Sequence, residues 1–120
     1  MHKKEEIDKL AMEFEQCRKI LIAMGDENRQ HMIVEMMKIG NCNGVRVNEI
    51  TERTHLSRPA VSHHLQILKD AGILKMRREA TKNYYYFDPD MKSFELLIGI
   101  LQKAVSFTAE LPDRSQVNED

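Results

Sequence analysis

The sequence holds no apolar run long enough to cross a bilayer, so neither a membrane-spanning helix nor a membrane partner is expected. Its first residues, Met1 to Glu6, are charged and lead into no signal-peptide apolar stretch, which points to a cytoplasmic location. Only two cysteines occur in 120 residues, too few for a disulfide framework. Reduced thiols, one buried and one in a loop, are the plain reading. No internal repeat and no second domain is visible. There is little net charge, and the formal value of −1 argues at first against a nucleic-acid partner. The sequence also lacks a phosphate-binding loop, a cluster of metal ligands and a nucleophile paired with a base and an orienting group. Neither an enzyme nor a cofactor is therefore expected.

Hydrophobic residues make up 42% of the chain, enough for a core and too many for disorder throughout. One domain over 1–110 is expected, with a flexible polar tail over 111–120. A lone domain of this size is modestly stable, and association would bury more surface. The charge is unevenly spread. Between Arg53 and Tyr86 there are seven basic and two acidic residues; from Phe87 onward there are three basic and seven acidic. A basic segment on an otherwise acidic body is a plausible footprint for DNA, although a charge run by itself is usually a solvated face.

Hydrophobic spacing predicts a mainly α-helical fold with a small β-hairpin, in the order α-α-(β)-α-α-β-β-α. A first helix is predicted from about Lys4 to Met24, because Ile7, Leu10, Phe14, Cys17, Leu21 and Met24 step by three and four. Asp26 reads as the N-cap of the next helix and Gly40 as its C-terminal stop. Val45–Val47 reads as a short strand. Asn48 is expected to cap a short helix through Thr54, and Ser57 a second that ends at Gly72, with Pro59 in its first turn. Ile73 to Glu79 and Tyr84 to Phe87 read as paired strands around a turn over 80–83. The last helix, Met91 to Glu110, is apolar on two sides: Phe94, Ile98, Leu101 and Val105 form one stripe, and Leu96, Ile100 and Phe107 another. One side can face its own domain, and the other needs a partner. A homodimer is expected, with Leu10, Phe14, Cys17, Leu21, Phe94, Ile98, Leu101 and Val105 at its interface.

Two helices joined by a short turn make a helix-turn-helix unit. On the second of them Val61, Leu65 and Leu68 fall on one side, with His64 beside them, and Ser62, His63 and Gln66 fall away. Ser57 and Arg58 project from its N-terminal end. An apolar face that anchors the helix, with small polar residues outward, suits insertion in a major groove. An ordinary amphipathic helix in a bundle would explain the apolar face alone. The hairpin that follows carries Lys75, Arg77 and Arg78, with Lys82 and Asn83 at its tip: a basic wing suited to phosphates or the minor groove. The plainer reading of such charges is a protected sheet edge.

The stretches Val47-Asn-Glu-Ile-Thr51, Leu56-Ser-Arg-Pro-Ala-Val-Ser-His-His-Leu65, Leu68-Lys-Asp-Ala-Gly-Ile-Leu74, Arg77-Arg-Glu79 and Tyr84-Tyr-Tyr86 resemble the ArsR/SmtB family of bacterial regulators. The resemblance runs from about Ile20 to Leu101. It implies a winged helix-turn-helix dimer, paired through its first and last helices, that represses promoters until an inducer binds. It also implies that Ser57, Arg58, Ser62 and His63 fall at DNA-contacting positions and that His64 packs within the fold. Many members sense metals through a Cys-x-Cys pair at the start of the third helix; the matching positions here are Arg46 and Asn48. Others use Asp-x-His with a downstream histidine and acid on the last helix, but Asp90 is followed by Lys92 and no histidine follows His64. No metal site is expected at either place.

Helix neighbours such as His63 and His64 point about 100° apart, given ~3.6 residues per turn, so they do not readily share an ion. Cys17 on the apolar stripe reads as a buried thiol, and Cys42 as an exposed, oxidisable one in the loop 41–44. The resulting expectation is a sequence-specific DNA-binding regulator: a dimeric repressor of a palindromic operator, with double-stranded DNA as partner and an inducer that the sequence leaves unnamed. The alternative is a winged helix that docks proteins and does not read DNA.

Overall fold

The computed structural model describes residues 2–111. The tail expected over 111–120 lies outside them from residue 112 onward. The element order is α1 (His2–Gln16), α2 (Arg18–Met24), α3 (Glu27–Ile39), α4 (Val47–Thr54), α5 (Arg58–Asp70), β1 (Leu74–Glu79), β2 (Lys82–Phe87) and α6 (Met91–Ala109). No described helix is long and apolar enough to cross a membrane. The chain divides into two compact units, one formed by the residues up to Cys17 and from Lys92 onward, the other by Arg18–Met91.

In the first unit, α1 and α6 run antiparallel and are tied by ion pairs. Lys3 reaches Glu110 at 3.0 Å and Lys103 reaches Glu13 at 2.8 Å. Leu10, Cys17 and Ile100 are buried. The single first helix predicted from the apolar stripe is broken at Cys17. There the Cys17 amide is shared between the carbonyls of Glu13 and Phe14, each at 3.1 Å. Sharing of this kind tightens a helix turn toward 3₁₀ geometry and separates α1 from α2. The Cys17 thiol lies 3.9 Å from the Ser93 carbonyl. Burial pushes its pKa up, and the Glu13 carboxylate adds to the shift.

The second unit packs α3, α4 and α5 around Met32, Ile50, Val61, Leu65 and Leu68, all fully buried. Local chemistry sets the helix ends. The Asp26 carboxylate accepts from the Arg29 amide at 3.0 Å and opens α3, and that bond holds its pKa down. Gly40, at φ 65°, closes α3. The predicted Asn48 cap is displaced by two residues. Arg46 is the N-cap of α4, where its own amide donates to the Glu49 carboxylate at 3.2 Å, and Asn48 lies within the first turn. Ser57 caps α5 as expected, through the Ala60 amide at 3.2 Å. The helix stops at Asp70. Gly72 at φ 80° and a bond from the Ile73 amide to the Leu68 carbonyl at 3.0 Å then turn the chain into β1.

β1 and β2 pair antiparallel with Glu79 opposite Lys82, so the turn is the two residues Ala80 and Thr81. The short strand expected at Val45–Val47 reduces to one bridge. Val45 and Tyr85 exchange backbone hydrogen bonds at 2.8 and 2.9 Å, and Val47 already begins α4. This bridge fastens the hairpin to the body and requires Gly44 beside it. Gly44 sits at φ 110°, and a Cβ there would lie 2.9 Å from the Tyr84 Cβ. Gly44→Ala is therefore expected to destabilise the fold by about 1–3 kcal/mol through strain and displacement of the hairpin. Chemical denaturation monitored by circular dichroism measures this, and an unchanged midpoint would refute it.

Candidate nucleic-acid interface

α4 and α5 form the two arms of a helix-turn-helix. His55 ends α4 in the left-handed conformation, at φ 60°, and the chain reverses through Leu56 to the Ser57 cap. Along α5 the two faces separate cleanly. Val61, Leu65 and Leu68 have no accessible surface, whereas Ser57, Arg58, Ser62, His63 and Gln66 are exposed. The core thus fixes the helix axis and rotation, and the residues expected to reach base edges form an open row. Gln66 is the exception in availability, because its side-chain amide donates to the Asp70 carboxylate at 2.9 Å.

His64 faces the other way. Its Nδ1 lies 3.2 Å from Nη1 of the buried Arg29. A guanidinium only donates, so Nδ1 accepts and the neutral ring carries its hydrogen on Nε2. Arg29 also donates from Nε to the Ala23 carbonyl at 2.8 Å and from Nη2 to the Ile22 carbonyl at 3.0 Å, which caps the end of α2. One guanidinium therefore joins α2, α3 and α5. Burial lowers the His64 pKa; the neighbouring Asp26 opposes this, while Arg29 and His63 add to it. A folded pKa below the unfolded value means stability that is present above the unfolded value, about 6.5, and lost as pH falls through the folded one. The melting temperature should accordingly fall on acidification below about pH 6.5. His64→Gln, which keeps a neutral acceptor, should remove that part of the pH dependence. Identical pH profiles for the two proteins would contradict this role for His64.

The hairpin places its basic residues differently from one another. Arg77 is engaged on three sides: its Nη2 donates to the Asn43 carbonyl at 2.6 Å, its Nη1 lies 3.0 Å from the Glu79 carboxylate, and its guanidinium stacks 4.8 Å over Tyr84. It braces the hairpin against the loop at 41–44. Lys75 pairs with Asp88 at 2.7 Å, and this pair holds the lysine pKa up. Arg78 donates to the Ala80 carbonyl at 3.2 Å, within its own turn. Lys82 and Asn83 are exposed at the tip. There they line a small cleft of about 90 Å³ together with Arg58 and with Arg46 and Asn48 of the α4 start. Arg46 was not among the expected contact residues, since it precedes the helix-turn-helix in sequence. The sequence carried no signal for it: Arg46 lies outside the basic stretch from Arg53 to Tyr86, and the charges nearest to it along the chain are Glu49 and Glu52. Where many members of the resembled family carry a Cys-x-Cys pair, Arg46 and Asn48 supply one cation and one amide. Such a donor set does not fit a soft metal ion. Cys17 is buried, Cys42 is exposed, and both are free thiols.

Of the expected dimer residues, Leu10 and Cys17 are covered within the single chain, while Leu21 and Phe94 are half-buried. Ile98, Leu101 and Val105 remain 54%, 53% and 67% exposed, and Phe14 39%. On α6 the three are spaced by three and four residues and form one open apolar stripe.

Helix-turn-helix, two-residue hairpin and basic tip together define a winged helix-turn-helix protein. The model of the arsR family of bacterial regulatory proteins matches residues 30–75. An uncharacterized HTH-type transcriptional regulator of Methanocaldococcus jannaschii is 36% identical over 77 residues, 64% of this chain and 83% of that protein. The transcriptional repressor SdpR of Bacillus subtilis is 33% identical over 63 residues, 52% of this chain and 66% of its own length. Among solved structures, the homodimeric winged helix-turn-helix DNA-binding domain of a possible ArsR-family regulator of Mycobacterium bovis superposes with a TM-score of 0.58 at 20% identity, covering 89% of this chain and 94% of that one. The chain belongs to the arsR family of transcriptional regulators.

Proposed function

We propose that this regulator works in the cytoplasm as a homodimeric repressor, reads an inverted-repeat operator in duplex DNA, and is released by a signal. One observation carries the DNA-reading part. α5 is anchored by three fully buried side chains, while Ser62 and His63 stand open away from them and Ser57 and Arg58 are exposed at its N-terminal end. In this reading Arg58, Ser62 and His63 meet base edges, Ser57 frames them, and Lys82 and Asn83, with Arg78, hold phosphates. Gln66 joins the base-reading row by exchanging Asp70 for a base edge, and Arg77 contributes chiefly by holding the wing in place. Pairing is supported by the open stripe of Ile98, Leu101 and Val105, which a second copy would cover together with Phe14 and Phe94. The Mycobacterium bovis domain is homodimeric, which supports pairing, and the Bacillus subtilis relative is a repressor, which supports repression. The role is regulatory, and no catalytic step is proposed.

The test is equilibrium binding to duplexes selected from a random pool, measured at several salt concentrations. Expected is tight, sequence-selective binding whose logarithm falls linearly with the logarithm of salt concentration. Binding that is flat in salt, or equal on scrambled duplex, would contradict DNA reading and leave the protein-docking alternative.

A further inference from the structure

The cleft between the wing tip and the start of α4 gathers cations from three separate elements. Arg46 comes from the segment before α4, Arg58 from the first turn of α5, and Lys82 from the start of β2. Among the described residues none of the three forms an ion pair, whereas Lys75, Arg77 and Lys103 each do. Of the acids nearest in sequence, Glu49 accepts from the Arg46 amide, and Glu79, opposite Lys82 in the hairpin, pairs with Arg77. The cleft is small, about 90 Å³, and its remaining polar side chains include the amides of Asn48 and Asn83. Three like charges lining one cleft, none of them held in an ion pair, repel one another, and a multiply charged oxyanion relieves that repulsion. Guanidinium forks match phosphate oxygens in pairs, and a lysine adds a point charge.

The geometry points to a seat for one phosphate group, shared by Arg46, Arg58 and Lys82. The assignment rests on the DNA reading above and deepens it. The group it takes is a backbone phosphodiester of the bound duplex, and the same chemistry would admit a free phosphate ion. It makes Arg46 a DNA-positioning residue outside the helix-turn-helix. It also links wing and reading helix through a single phosphate, so that the position of one sets the position of the other.

Shared contact has a signature that separate contacts lack. Arg46→Gln and Lys82→Gln are each expected to weaken cognate and scrambled duplexes alike. Each should also flatten the log–log salt dependence by part of the roughly one unit belonging to one phosphate contact. The double variant should flatten it by about one unit in all, with a loss of affinity smaller than the product of the single losses. The α4 cap is made by the Arg46 backbone and Glu49, so Arg46→Gln retains it, and circular dichroism checks the fold. A second arm titrates inorganic phosphate into the free protein and follows the amide resonances of Val47, Asn48 and Lys82. Coupled duplex losses without resonance shifts assign the seat to the DNA backbone. Saturable shifts that disappear in Arg46→Gln assign it to a free phosphate ion. Multiplicative losses, or an unaffected Arg46→Gln protein, together with unmoved resonances would overturn the seat while leaving DNA binding intact. A wild-type protein that binds no duplex would instead refute the DNA reading, and the phosphate titration would then decide the seat alone.

Discussion

Leu101→Glu is expected to convert the protein into a folded monomer that no longer holds its operator tightly. Leu101 is half exposed in the single chain, between Ile98 and Val105 on the open stripe of α6. A carboxylate there is hydrated in the monomer, so the fold tolerates it. In a dimer it would be buried against apolar side chains without a partner, which costs several kcal/mol. Losing the second reading head removes the avidity of two linked half-sites, roughly 10²–10⁴ in affinity. Phe14→Glu should act in the same direction, with less effect because Phe14 is less exposed. Sedimentation at micromolar concentration provides the measurement. A wild-type protein that sediments as a monomer would contradict the pairing, as would a Leu101→Glu protein that remains dimeric.

Arg58→Ala and Lys82→Ala are expected to fail in different ways. Arg58 opens the reading helix, and its guanidinium can reach paired acceptors on a base edge as well as the cleft. Its loss should cost about 1–3 kcal/mol on the cognate duplex and narrow the margin over scrambled DNA. Lys82 lies at the wing tip, on the cleft it shares with Arg58, and carries only a point charge. Its loss should weaken every duplex similarly and reduce the salt dependence. By the same reasoning Arg77→Ala should act mainly by loosening the hairpin, because its side chain is bound to Asn43, Glu79 and Tyr84. Titrations on cognate and scrambled duplexes separate these outcomes. If Lys82→Ala affected only the cognate duplex while Arg58→Ala weakened both equally, the roles would be reversed.

What the sequence made legible follows from how local each cause is. Asp26, Gly40 and Ser57 act within one helix turn, and each stands where its side chain or its freedom at positive φ predicts. The period of Val61, Leu65 and Leu68 fixed the buried face of α5, and the aromatic run at Tyr84 to Phe87 marked the returning strand. The misplaced features depend on competing or distant partners. Asn48 is a better intrinsic cap than Arg46, yet the Glu49 carboxylate satisfies the Arg46 amide and starts α4 earlier. The apolar stripe runs through Cys17 without interruption, so periodicity alone gave no sign of the break between α1 and α2. Lys75, Arg77, Arg78 and Lys82 are equivalent as charges in a sequence. Only contacts to Asp88, Asn43 and Ala80 distinguish the three bound residues from the available one. The Arg29–His64 bond spans 35 positions, and the role of Arg46 requires the wing to fold back onto α4.

In the proposed function two copies of this chain present two reading helices to one duplex. Hydroxyl-radical footprinting on a selected operator, combined with the stoichiometry of the complex, reads this out. Two chains per duplex and two symmetry-related protected segments are expected. Their centres should lie one helical turn, about 34 Å, or a multiple of it apart, on an inverted repeat. A single protected segment on an asymmetric site, bound by one chain, would contradict it.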